Sequence, residues 1–167
     1  MTALRSNQTV DPITLEIIRN LLIAILDEGE INLSRTAFSP IIYEVKDYCI
    51  GLLDRDGQTI AQSRGGIPTF MADLGEPVRD GIGIYGPDGF EPGDVLLINY
   101  AAVCGQHLNN VIVYVPVHWQ GELVGFAATR AHWTDVGGRV SGSFSTDTTE
   151  IYQEGLQLRS VKVYKRG

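Results

Sequence analysis

The stretch from Asp11 to Thr36 constrains the fold more than any other part of this chain, because a strong helix start is followed by helical apolar spacing. Asp11 supplies an N-cap oxygen, and Pro12 suits the first helical position, where its missing N–H needs no partner. Glu16 adds negative charge in the first turns, where the helix dipole favours it. Ile13, Ile17, Leu21, Ala24, Ile25 and Ile31 follow helical spacing, and Leu15, Ile18, Leu22 and Leu26 widen the stripe on its flanks. So broad a stripe predicts a helix of about six turns that is buried over much of its circumference. Gly29 allows a kink, but the pattern resumes to about Thr36, before Ser39-Pro40 forces a stop.

Beyond Tyr43 the period turns extended. Asp47 to Leu53 and Gln58 to Gln62 flank Asp54-Arg55-Asp56-Gly57, whose Asp-Gly pair supplies the positive φ of a tight hairpin. Arg64 to Pro68 reads as a loop and Phe70 to Tyr85 as a second helix. Turns at Gly86-Pro87-Asp88-Gly89 and Pro92-Gly93-Asp94 lead into Val95 to Asn99, a buried strand. Val111 to Val117 and Leu123 to Thr129 form two more strands, joined through a turn that includes His118. A Gly- and Ser-rich loop runs to about Ser145, mobile or organised by a ligand. Thr148 to Gln157 predicts a short helix, and Val161 to Tyr164 a last strand. The expected fold is α+β (mixed α/β), with the long N-terminal helix packed on a largely antiparallel sheet. Residues 1–10 are polar and read as a disordered leader.

Charge removes several functions. Thirteen Lys and Arg against twenty Asp and Glu give a net charge of -7 and a pI near 4.8. Such a chain has no positive field for nucleic acid or an anionic bilayer. The apolar run Ile17 to Leu26 is interrupted by Arg19 and Asn20 and is far shorter than the roughly 20 residues of a membrane span. The N-terminus lacks the basic-then-apolar order of a secretory signal, so a cytoplasmic location is expected. There Cys49 and Cys104 would both be thiols.

Only three histidines occur. His107 and His132 each follow a predicted strand within polar segments, and if those strands share a sheet the two imidazoles meet at one end of it. Asn110 at i+3 from His107, and Asp135 at i+3 from His132, would share a face with their histidines on a helical turn. Two imidazoles with one or two oxygen ligands suit Zn, Mn or Fe and leave a position open for water or substrate. The same residues also read as imidazoles hydrogen-bonded to carbonyls in a polar pocket. Cys104, close to His107 in sequence, reads as a small core thiol rather than a nucleophile. Glu44, Lys46 and Asp47 form a charged cluster before a strand, most simply a solvated face. Gly65-Gly66 and Gly137-Gly138 fit neither phosphate-loop pattern.

Asp11-Pro12-Ile13-Thr14-Leu15-Glu16-Ile17-Ile18-Arg19-Asn20 resembles the opening of the hydantoinase B family. These are the B or alpha-type subunits of ATP-dependent N-methylhydantoinase and 5-oxoprolinase and of acetone and acetophenone carboxylases. The resemblance continues through Arg35 to Pro40, Gly51 to Asp54, Ile60 to Gln62, Pro92 to Val95, Gly105 to Leu108, Arg130 to His132, Asp135 to Gly138 and Thr149 to Leu156. It implies a divalent metal site with His107, Asn110 and His132 as ligands; Asn110 or Asp135 completes the shell, and His107, His132 and Asp135 are the expected catalytic set. The family's His-Leu-Pro-Asp reads His107-Leu108-Asn109-Asn110 here, so a neutral amide replaces a carboxylate, a weaker ligand for a hard ion. The family's Asn-Asp-Pro is likewise replaced by Asn99-Tyr100-Ala101.

The resemblance also implies a hydantoinase A-like partner subunit that binds ATP and phosphorylates the substrate, after which the B-type chain opens a cyclic amide with metal assistance. A ketone substrate in a carboxylase-type enzyme is one alternative, and a non-catalytic interaction module is another. Family chains are longer, so residues 11–167 are expected to be the N-terminal part of the domain. Apolar surface left by a missing portion then predicts an oligomer.

Overall fold

The structure is a computed structural model that describes residues 10–67, 74–143 and 145–166. Nine of the ten residues of the expected leader lie outside that set. Helix α1 spans Pro12–Thr36, as the spacing predicts. Asp11 caps it by accepting the Ile13 and Thr14 N–H groups at 3.0 and 3.1 Å, and the Ala37 N–H closes it on the Leu33 carbonyl. The helix runs through Gly29, where a Cβ would stand in ordinary contact, 3.6 Å, with the Ile50 side chain. A second, four-residue helix, α2, covers Pro40–Tyr43.

Strands β1 (Tyr48–Asp54) and β2 (Thr59–Gln62) form the expected hairpin. The Asp54 carboxylate accepts the Asp56 and Gln58 N–H groups, and Gly57 takes φ +76°. Helix α3 covers Gly75–Tyr85, the C-terminal part of the expected second helix, while Phe70 to Asp73 lie outside the described residues. Strand β3 (Val95–Ile98), a one-turn helix α4 (Ala101–Cys104), β4 (Asn110–Trp119) and β5 (Glu122–His132) follow, with β6 at Val161–Tyr164. The strands form one six-stranded antiparallel sheet in the order β2-β1-β5-β4-β3-β6.

Strands β4 and β5 are longer than the pattern suggests and place His118 on β4 rather than in the turn. The turn is Gln120-Gly121, both at positive φ (52° and 84°), which matches the twist of a two-residue hairpin. Near it the ladder shifts by one residue: Val117 stands opposite Gly125, but His118 stands opposite Leu123, leaving Val124 as a bulge.

One face of the sheet packs on α3. Leu74 and Val78 meet Leu53, Leu96, Ile98, Ile112, Tyr114 and Phe126, all buried, with Phe90 closing the layer. The C-terminal half of α1 packs against β1 and β2 through Gly29 over Ile50, Ser34 bonded to the Tyr48 hydroxyl and Asp27 bonded to Arg64. The expectation that α1 is buried around much of its circumference is wrong. Only Leu26 and Glu30 are buried, and Ile13, Leu21 and Ile25 are 74%, 58% and 59% exposed. The sheet edge meets the helix from about its middle onward, so among the described residues nothing covers the apolar stripe of its first turns. No described helix is long and apolar enough to cross a membrane.

Two further expectations change. The helix over Thr148 to Gln157 is a single 3-10 turn, Ile151–Gln153, because Gly155 at φ +139° and the Leu156 N–H bond to the Val136 carbonyl turn the chain away. Strand β3 alternates, with Leu96 and Ile98 buried and Val95 and Leu97 half-buried. The Gly- and Ser-rich loop is pinned by backbone bonds from Arg139 to Gln153 and from Gly142 to Thr134.

At the β3–β6 edge, buried Asp94 accepts from Lys162 Nζ at 2.6 Å and from the Glu91 and Arg166 N–H groups. Burial pushes its carboxyl up, but the Lys162 bond and the two N–H bonds outweigh burial and hold it below its ordinary 3.8. A depressed carboxyl contributes stability above its unfolded pKa and loses it as pH falls through the folded one. Lys162→Met should therefore cost about 1–2 kcal/mol at neutral pH, and the deficit should shrink below about pH 4. Urea unfolding at pH 7 and pH 3 measures both values, and a deficit that does not change with pH would contradict the assignment.

Candidate functional site

The residues that the sequence singles out converge at one end of β4 and β5. His132 is the last residue of β5 and stands directly opposite Asn110, the first of β4. His107 lies in the turn just before, where its carbonyl accepts the Asn110 N–H at 3.1 Å. The His107 and His132 rings meet edge to face, with centroids 4.8 Å apart and planes at 86°.

Local bonding explains why this turn holds its shape. Gly105 at φ +67° ends α4, and fully buried Leu108 anchors the segment in the domain. Asn99, just past β3, donates through Nδ2 to the Leu108 and Leu156 carbonyls, both at 2.9 Å, and accepts the Leu158 N–H at 2.7 Å. Asn109 joins the two histidine segments: its side chain donates to the Trp133 carbonyl at 2.7 Å, and its own carbonyl accepts the Trp133 N–H at 2.8 Å.

Asp47, which from sequence reads as part of a solvated charged face, belongs to this site. Its carbonyl accepts the His132 N–H at 3.0 Å, and its carboxylate lies 3.5 Å from His132 Nδ1. Burial holds the His132 imidazole below its ordinary 6.5, His107 adds to the effect and Asp47 opposes it. His132 is therefore neutral at neutral pH, the form that ligates a metal. Only the position of Asp47 ahead of a strand hints at its role, and Asn99 and Asn109 give no sign in the sequence that they staple the site.

Asp135 is engaged differently. It is exposed, and its carboxylate accepts the Gly137 N–H at 2.7 Å, closing a turn. Among the described residues no group of three or more His, Cys, Asp and Glu forms a metal cluster, since the position opposite His132 carries an amide. Asn110 donates through Nδ2 to Gln106 Oε1. Cys104 is buried in the core, in agreement with its reading as a core thiol.

The donor set fits a divalent cation. His107 Nε2 and Asn110 Oδ1 are buried and accept no hydrogen bond from a described residue. Each such group costs about 1–3 kcal/mol unless something takes it up. Nitrogen and oxygen donors together suit Zn, Mn or Fe.

Fold and site together define an α+β domain with a nitrogen–oxygen donor cluster at one end of an antiparallel sheet. The chain belongs to the hydantoinase B/oxoprolinase family, whose sequence profile matches residues 11–167. It is 35% identical to the beta subunit of caprolactamase from Pseudomonas jessenii, covering 95% of this chain and 27% of that protein. It is 32% identical to the B subunit of a putative D-/L-hydantoinase from Pseudomonas sp. (strain NS671), with the same two coverages. The crystal structure of the ATP-dependent caprolactamase from Pseudomonas jessenii superposes with a TM-score of 0.85 over 95% of this chain and 27% of that one. The chain thus spans about a quarter of the length of these relatives.

Proposed function

We propose that this chain is the metal-holding part of a B-type subunit in an ATP-dependent hydrolase that opens a cyclic amide, acting in the cytoplasm as part of an oligomer. A hydantoinase A-like partner binds ATP and activates the carbonyl by phosphorylation. The observation that carries the reading is the meeting of His107 and His132, with Asn110 in register opposite His132. Family membership and the names of its relatives support the hydrolase class.

In this reading His107, Asn110 and His132 hold a divalent ion, which supplies Lewis acidity toward the substrate carbonyl. Asp47 beside His132 Nδ1 keeps the proton on that nitrogen and leaves Nε2 as the donor. Asn109 fixes the spacing of the two histidine segments, so the donors need no rearrangement to act together. Asp135, close to His132 in sequence, keeps an exposed carboxylate that closes the turn at Gly137 and can face substrate from the solvent side.

Metal titration tests the site. The protein should bind Zn or Mn, and His107→Ala and His132→Ala should each weaken binding by at least about tenfold. Asn110→Asp, which adds charge, should tighten it. Equal metal content in the parent and both alanine variants would sink the reading. Asn110, an amide engaged with Gln106, favours a second reading, an interaction module without chemistry. In the assembled enzyme such a module would leave substrate-dependent ADP release unchanged when the two histidines are replaced.

A further inference from the structure

Between the C-terminal half of α1 and the start of β1 lies a cavity of about 390 Å³ that the histidine pair does not line. Its charges sort themselves. Asp27 accepts from Arg64 Nε, Nη2 and backbone N–H, so that pair is mutually satisfied. Glu30 is 8% exposed and accepts the Gly65 N–H at 3.1 Å, with no ion-pair partner among the described residues. A Cβ on Gly65 would stand 2.5 Å from Glu30 Oε1, so the glycine is what lets the carboxylate lie against the backbone.

Arg35 and Lys46 line the same cavity, are exposed, and make no ion pair with a described residue. Lys46 holds φ +59°, a left-handed conformation that a long side chain rarely takes and that marks functional positions more often than chance. Ile31 and the Tyr48 ring supply apolar wall, and the Tyr48 hydroxyl, bonded to Ser34 at 2.7 Å, also lies against the Glu30 carboxylate. The cavity is therefore lined by one buried carboxylate, two exposed cationic side chains and the apolar atoms of Ile31 and Tyr48, within a chain of net charge -7.

The geometry points to a binding site for a small aliphatic aminocarboxylate, with its ammonium on Glu30 and its carboxylate on Arg35 and Lys46. A simple anion would meet Glu30 with like charge, and a simple cation would leave Arg35 and Lys46 unmatched. The volume lies at the small end of ligand pockets. The site does not depend on the metal reading, because none of the proposed metal ligands lines it.

Calorimetric titration with glycine, β-alanine and γ-aminobutyrate, against butyrate and butylamine as one-charge controls, tests it on metal-free and metal-loaded protein alike. One aminocarboxylate should bind saturably and at least about tenfold more tightly than either control. Glu30→Gln, whose amide oxygen still accepts the Gly65 N–H, should bring that ligand down to the level of butyrate. Lys46→Gly suits the positive φ, so it should weaken binding without lowering the melting temperature. The absence of saturable binding by all three amino acids would overturn the proposal, as would butyrate binding equal to that of the aminocarboxylate, or unchanged affinity in Glu30→Gln.

Discussion

Asn99→Ala should destabilise the protein by about 3–4 kcal/mol, because it leaves the Leu108 and Leu156 carbonyls and the Leu158 N–H without their partner in one step. For a domain of this size that is a fall of roughly 6–16 °C in melting temperature. The amide cannot be replaced by its acid. Asn99→Asp keeps an acceptor for Leu158 but aims a second oxygen at two carbonyls, and Asn99 is only 1% exposed. Both variants should melt early, and both should loosen the turn carrying His107, since Leu108 is the next residue. Thermal unfolding measures the first effect, and hydrogen exchange at residues 107–110 measures the second. A melting temperature within about 2 °C of the parent would show that Asn99 is not the clamp.

The other large effect belongs to Phe126. Its side chain is fully buried on β5, edge to face with Phe90 at 5.0 Å and 80° and with Tyr114 at 6.1 Å and 70°. Its neighbours across the sheet are Leu53 on β1 and Pro116 on β4, so the backbone around it cannot collapse into a vacancy. Phe126→Ala should cost about 3–5 kcal/mol, from lost transfer energy and a cavity that the sheet holds open. Phe126→Leu retains most of the volume and should cost under about 2 kcal/mol. Urea midpoints with an unchanged slope would attribute the difference to the native core. An alanine variant no worse than the leucine one would mean that Tyr85 and Phe90 repack to fill the space.

How much of this is legible in the sequence depends on the range of the interaction. The start and stop of α1 are readable because Asp11-Pro12 and Ser39-Pro40 act within a turn of themselves. The Asp54 to Gly57 turn is readable for the same reason. Burial of α1 is not, since an apolar stripe records what a helix can bury, and the partner surface ends at the β1–β2 edge. The meeting of His107 and His132 follows from strand order, since His107 sits in the turn just before β4 and His132 ends its antiparallel neighbour β5. Asp47 is hidden because its neighbour in space, His132, lies on a different strand, and nothing local separates such a carboxylate from a solvated one. Asn99 and Asn109 are hidden similarly, since each spends its side chain on carbonyls far along the chain.

The bulge at Val124 gives the far end of the β4–β5 hairpin a counting role. The Gln120-Gly121 turn alone would close the ladder with Trp119 opposite Glu122 and, continued without a break, would bring Ala131 opposite Asn110. The one extra residue at Val124 advances β5 by a single step, so that His132 arrives there instead. Loop tips ordinarily tolerate insertions and deletions. Here the exposed tip sets which side chain faces the donor cluster at the opposite end, and a gain or loss of one residue there changes the site without touching it.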